Sequence, residues 1–131
     1  MSKGSRISLA EAIARLEYLP DRTPGMAFSG GAERAFAELS KYRDGGVYVG
    51  YYSGDSEWER HPKGDEIVMA LEGSTTLVLR RDGTDERCAL GAQELVVVPT
   101  NTWHRFEGSK ELKVLAVTPQ PSDHRLEDPD S

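Results

Sequence analysis

Two of the three histidines in this 131-residue chain, His61 and His104, sit where an imidazole could do chemistry. Each falls in a stretch of β-forming residues beside a tight turn. Pro62-Lys63-Gly64-Asp65 follows His61, and Pro99-Thr100-Asn101-Thr102 precedes His104. Side chains alternate across a strand, so Glu59 shares a face with His61, and Phe106 shares one with His104. Glu66 opens the strand after the first turn, and a hairpin would bring it opposite the Glu59/His61 pair. Imidazole nitrogen and carboxylate oxygen hold first-row divalent cations, and the same groups move protons in acid–base catalysis. His124 lies in an acidic C-terminal stretch where solvent is its expected environment, and it receives little functional weight.

The neighbours of these residues have plainer readings. Arg60 and Arg105 alternate with the histidines and so face the other way, as do Trp58 and Trp103, for which packing is the expected role. Asp65 beside Gly64 reads as a turn former rather than a ligand. Cys88 is the only cysteine, which rules out an intrachain disulfide and a cysteine-based zinc site. The spacing of Gly64, Gly73, Gly83 and Gly91 fits turns and no phosphate-binding loop.

The chain has 22 acidic and 16 basic residues, a formal charge of -6, and no basic cluster. Nucleic acid is therefore not an expected partner. No apolar run approaches the ~20 residues of a membrane span. The polar start, Met1 to Arg6, is followed by no apolar stretch of the secretory kind, so a reducing cytoplasm is the expected location.

Elements must position the candidate residues. Ser8-Leu9-Ala10-Glu11 reads as a capping box, and Leu9, Ile13 and Leu16 continue at helical spacing until Pro20, predicting one short helix over residues 9–18. Residues 21–31 read as a connector. Short β-type runs then alternate with turns: 36–42, 47–52, 58–61, 67–71, 75–81, 86–90, 95–98, 103–106 and 112–118. Residues 119–131 read as a flexible acidic tail. The division expected is 1–44 for helix, connector and first strand, 45–118 for a barrel core, and 119–131 for the tail, all in one domain. Many short strands and little helix predict an all-β sandwich or barrel.

Glu59-Arg60-His61-Pro62-Lys63-Gly64-Asp65-Glu66, with Gly73 beyond, resembles the first motif of the cupin superfamily. Gly91 followed by Pro99-Thr100-Asn101-Thr102-Trp103-His104 resembles the second. The resemblance covers roughly residues 45–118 and implies a double-stranded β-helix, or jelly-roll barrel, with a short N-terminal helix. In that family the first motif supplies two histidines and a glutamate to a metal, and the second supplies one more histidine. Carried over, the ligand set is Glu59, His61, Glu66 and His104, with Glu59 standing where the family places its first histidine. Two carboxylates would neutralise a divalent ion, which suits harder metals and makes a bound water less acidic. The implied cofactor is a divalent ion (Mn, Fe, Zn or Ni).

Several functions remain open at this stage. The chain is either a metalloenzyme acting on a small molecule (a dioxygenase, isomerase or lyase) or a non-catalytic module that binds a small ligand or metal. Glu59 also admits a decayed site in which the histidines are interior hydrogen-bonding residues. Glu59, Tyr48, Tyr51 and Tyr52 are the nominees for an acid or base. A homodimer is expected, because many cupins pair and because sheet edges and the apolar stripe of the helix need covering.

Overall fold

In the computed structural model, which describes residues 4–131, two 16-residue strands organise the chain. Met1–Lys3 of the polar start lie outside the described residues. The nine strands are β1 (Leu19–Arg22), β2 (Phe36–Tyr42), β3 (Gly45–Gly54), β4 (Trp58–Arg60), β5 (Glu66–Arg81), β6 (Thr84–Leu90), β7 (Glu94–Val98), β8 (His104–Pro119) and β9 (Asp123–Arg125) among the described residues. The long strands β5 and β8 pair antiparallel along most of their length, and each serves two sheets.

The first half of β5 and the second half of β8 lie between β7 and β3, through Ile67↔Val97, Ile67↔Val117 and Val47↔Val117. The second half of β5 and the first half of β8 lie between β6 and β4, through Leu79↔Glu86, Leu79↔His104 and Glu59↔His104. Alternation turns Val68, Ala70, Leu77, Leu79, Phe106, Leu112 and Val114 into the space between the sheets, where they form the core with Tyr52, Leu90 and Val98. This is the jelly-roll expected from the sequence.

The runs 67–71 and 75–81, expected as two strands, are one bent strand, as are 103–106 and 112–118. The bend is a backbone device. Gly73 has φ +78°, and a Cβ there would lie 2.2 Å from the Glu111 carbonyl oxygen. Only glycine lets the two long strands cross this closely while turning from one sheet to the other.

Helix α1 (Leu9–Ala14) begins as expected, with Ser8 Oγ accepting from the Glu11 amide, but ends well before residue 18. Tertiary contacts claim the following residues. The Glu17 amide donates to the Arg34 carbonyl, and the Tyr18 ring stacks on Tyr51 at 4.6 Å. The expected connector contains the end of β1, which runs parallel to β3, and a short helix α2 (Met26–Ser29).

The reading of residues 119–131 as a flexible tail is corrected by β9, which pairs with β4 through Trp58↔Arg125, Glu59↔His124 and Arg60↔Asp123. Beyond it, Arg80 binds both Asp128 and Asp130. Acidic side chains that looked solvating are thus fastened to cations on the barrel. No helix among the described residues is long and apolar enough to cross a membrane.

Candidate metal site

The four residues proposed as ligands arrive from three strands and one turn. Glu59 and His61 flank Arg60 at the end of β4, Glu66 begins β5, and His104 begins β8. The Pro62–Asp65 turn is closed from outside by Asp65, which accepts from the backbone and hydroxyl of Thr100 at 2.8 Å each. The His61 carbonyl in turn accepts from the Asn101 amide at 2.9 Å. The two motif turns are therefore tied together, which sets His61 beside His104 with ring centroids 5.2 Å apart.

One donor atom from each of Glu59, His61, Glu66 and His104 lies within 4.8 Å of all the others. Glu66 Oε1 is 3.0 Å from His104 Nε2 and 3.3 Å from His61 Nε2, and Glu59 Oε1 is 3.5 and 3.6 Å from the same atoms. His61, Glu66 and His104 are buried, whereas the Glu59 side chain is 22% exposed.

Each ring is oriented from behind. His104 Nδ1 donates to the Thr102 carbonyl at 2.8 Å, because a carbonyl can only accept. Ser122 Oγ gives its proton to Gln120 Oε1, so at 2.8 Å it accepts from His61 Nδ1. In the neutral rings both Nε2 lone pairs then point at the cluster. Thr118 Oγ1 donates to Glu66 Oε2, leaving Oε1 for the centre. Such outer partners fix ligand tautomer and direction in metal sites. His61 Nε2 is buried and lacks a hydrogen-bond partner, despite its proximity to the carboxylates. Two ring nitrogens, one of them orphaned, and two carboxylate oxygens converging on one point fit a divalent cation.

Without a cation, protons take its place. Burial opposes protonation of both imidazoles, but the adjacent Glu59 and Glu66 carboxylates outweigh it, raising His61 to about 9 and His104 to about 10. Burial likewise works against the carboxylates, yet the same imidazoles hold Glu66 below its usual range and Glu59 well below it.

The cluster borders a cavity of about 320 Å³ whose walls include Val49, Phe106, Val114 and Ala116. Glu57 and Arg22 escaped the sequence reading, and His124, expected in solvent, lines the cavity with them. Glu57 is buried, with one oxygen accepting from Arg22 Nη2 at 3.2 Å and the other 2.7 Å from His124 Nδ1. Glu57 had a signal, since it alternates with Glu59 and His61 onto one face. His124 and Arg22 had none, because only the pairing of β9 with β4 and of β1 with β3 brings them near. Among the nominated tyrosines, Tyr48 and Tyr52 line the cavity, whereas Tyr51 stacks against Tyr18 away from it. Burial pushes the Tyr52 phenol up to about 12, so it keeps its proton. Arg60, Arg105, Trp58 and Trp103, expected on the opposite face, do not line the cavity, and Trp58 is buried beneath two arginines. Arg80 and Arg105 lie over the Trp58 ring at 5.0 and 4.7 Å, and Arg60 lies over Trp103 at 4.6 Å.

Residues 51–118 match the family described as the cupin domain, just over half of the chain. The chain belongs to the cupin domain family. YdbB from Bacillus subtilis (strain 168), described as an uncharacterized protein, is 28% identical over 67 residues, which are 51% of this chain and 57% of that protein. The match thus spans little more than half of that relative's length. Protein NMB1881 from Neisseria meningitidis superposes with a TM-score of 0.62 at 18% identity, over 88% of this cupin and 100% of that chain. Hydroquinone 1,2-dioxygenase PnpCD, solved with Cd²⁺ and 4-hydroxybenzonitrile, superposes with a TM-score of 0.57 at 17% identity, over 64% of this chain and 63% of its own. At these identities the structures share the fold.

Two outcomes test this geometry. Ser122→Ala removes the acceptor behind His61 and should weaken divalent-metal affinity about 10- to 100-fold, while Ser122→Thr restores most of it. Competition titration against a chelating dye measures this, and equal affinity in all three proteins would remove Ser122 from the site. The second outcome concerns pH. Raised histidine values mean that the proton-filled cluster stabilises the metal-free fold below the ordinary value of 6.5 and loses this contribution as pH rises through about 9 to 10. The depressed carboxylates contribute above their ordinary value of 4.5 and lose it as pH falls through their lowered values. At pH 7 a binding cation must therefore displace about two protons, and its affinity should climb with pH until the histidines have titrated. Calorimetry in buffers of different ionisation enthalpy counts the protons released, and a count of zero would contradict the assignment.

Proposed function

We propose that this cupin binds one divalent metal ion through Glu59, His61, Glu66 and His104 and acts on a small organic molecule held in the adjoining cavity. The observation that carries the reading is the buried, unpartnered His61 Nε2, aimed with three other donor atoms at a common point. A decayed site would not require two outer-shell groups to aim His61 and Glu66 inward.

A cation held there supplies Lewis acidity toward a substrate oxygen or a coordinated water. The protein's own contribution is separable from that chemistry. Ser122 and the Thr102 carbonyl keep each imidazole in the tautomer whose Nε2 lone pair faces inward. Glu66 is fixed by Thr118, but Glu59 is partly exposed and its Oε2 lies 3.8 Å from His124 Nδ1. Glu59 is thus the ligand with most freedom to turn toward a substrate. The apolar wall formed by Val49, Phe106, Val114 and Ala116 lowers the local dielectric on that side of the cavity, which strengthens polar contacts made against it. Metal-assisted chemistry on a small molecule, of the dioxygenase, isomerase or lyase kind, is the activity this arrangement suits, with a cytoplasmic setting for a chain whose one cysteine is free.

Elemental analysis of untagged protein should find one divalent ion per chain. Glu59→His should keep that stoichiometry and shift preference toward Ni²⁺ or Zn²⁺, as nitrogen replaces oxygen. Metal well below one per chain after anaerobic reconstitution would sink the proposal.

A homodimer is part of this reading. Ile67, Leu95 and Val97 are exposed on the outer face of neighbouring strands β5 and β7, an aliphatic surface suited to a second copy. Light scattering should give twice the chain mass, and Leu95→Lys should return it to one. A monomer at micromolar concentration would refute this part alone.

A further inference from the structure

Arg22 enters the cavity from β1, outside the residues matched to the cupin family. It is delivered by close backbone contact. The Asp55 amide donates to the Arg22 carbonyl at 3.0 Å, and Gly54, with φ +109°, leaves no room for a Cβ beside that oxygen, which would lie 2.3 Å away. The guanidinium carbon lies 4.5 Å from the centre of the Tyr52 ring and 4.9 Å from that of Phe36. Two aromatic rings hold the cation and leave the N–H edge as its means of reaching a ligand.

That edge is under-used. A guanidinium carries five N–H donors in a fixed fork. Arg22 makes one side-chain hydrogen bond among the described residues, from Nη2 to Glu57 Oε1 at 3.2 Å, although its side chain is only 14% exposed. Glu57 is also shared with His124, so it does not engage the fork in the bidentate manner that suits arginine and carboxylate.

Charge narrows the ligand further. Glu59 and Glu66 balance a divalent cation, and Glu57 balances Arg22. With His124 also against Glu57, the cavity carries no excess negative charge to repel one added carboxylate. Glu57, His124 and Glu59 link Arg22 to the cluster along one side, and Val49, Phe106, Val114 and Ala116 give the same cavity an apolar wall.

We infer that Arg22 is the anchor for a small monocarboxylate, whose carboxylate takes two N–H donors of the guanidinium while its body lies along the apolar wall toward the metal cluster. This deepens the proposed function by naming the substrate class, and it rests on that reading of the cavity as a ligand site. Arg22 contributes binding and orientation, and the reacting end of the molecule is presented to the metal.

Matched pairs of probes test it: propionate with propionamide, lactate with lactamide, and benzoate with benzamide. Each is titrated calorimetrically into Mn²⁺-loaded wild type, Arg22→Gln and Arg22→Lys, with metal content measured on the same samples. At least one carboxylate should bind ten or more times tighter than its amide to wild type. Arg22→Gln should erase that preference without lowering metal content. Arg22→Lys keeps a cation beside Glu57, which guards the fold, and should retain only part of the preference. Absence of a carboxylate preference in wild type overturns the inference, as does an unchanged preference in both variants, which would leave Arg22 as the counter-ion of Glu57 alone. Should Mn²⁺ not load, the metal reading fails separately. The same pairs titrated into metal-free protein then decide the role of Arg22 by the same criteria.

Discussion

Two carboxylates and two imidazoles meet inside this barrel, three of the four buried, and the rest of the structure is arranged around making that tolerable. A buried charge needs an opposite charge and hydrogen bonds on its remaining atoms. Here the two needs are met from different directions. Ser122, Thr102 and Thr118 satisfy the outward atoms, and the inward atoms are left facing one another. Either protons on the histidines or one divalent cation balances the two glutamates. The cluster is therefore a charge-matched cage, in which entry of a cation would release protons.

The cage depends on long strands more than on local motifs. His104 and Thr118 lie near opposite ends of β8, yet both reach Glu66 because β8 bends from one sheet into the other. β5 makes the corresponding bend at Gly73, where the close approach to Glu111 excludes any side chain. The apolar core between the sheets holds this curvature, and through Tyr52, Phe106 and Val114 it also provides part of the cavity wall beside the candidate cluster. One packing solution thus positions the ligands and shapes the space in which a small molecule would lie.

The C-terminal segment completes the site from outside the family-matched region. Ser122 backs His61, His124 meets Glu57, and Gln120 reaches Tyr48. Arg60–Asp123 at 2.9 Å and the Arg80 contacts with Asp128 and Asp130 hold the segment down. Exposed ion pairs of this kind each contribute little, but several acting together with strand pairing fix a short strand that could not stand alone. β1 does the corresponding work on the other side by delivering Arg22. The family-matched barrel carries the candidate metal cluster, and the two flanking segments supply much of the polar chemistry around it.

What the sequence determined by itself was the part encoded at short range. Alternation put Glu59 and His61 on one face, Pro62–Asp65 and Pro99–Thr102 marked the turns that end in the candidate ligands, and the Ser8 capping box marked where a helix starts. The jelly-roll and the four-residue cluster followed from these signals together with the family resemblance. Tertiary structure decided what depends on partners distant along the chain. The helix stops at Ala14 because later residues are claimed by Arg34, Tyr51 and Ser53, and the acidic C-terminus is ordered because its aspartates find Arg60 and Arg80. Arg22, Glu57 and His124 form one chain of contacts only after β1 and β9 have paired with strands more than thirty residues away in sequence. Local patterns carry periodicity and turn chemistry. Whether a charged side chain is solvated or enclosed is set by what folding brings opposite it, and that is where the polar half of this cavity was decided.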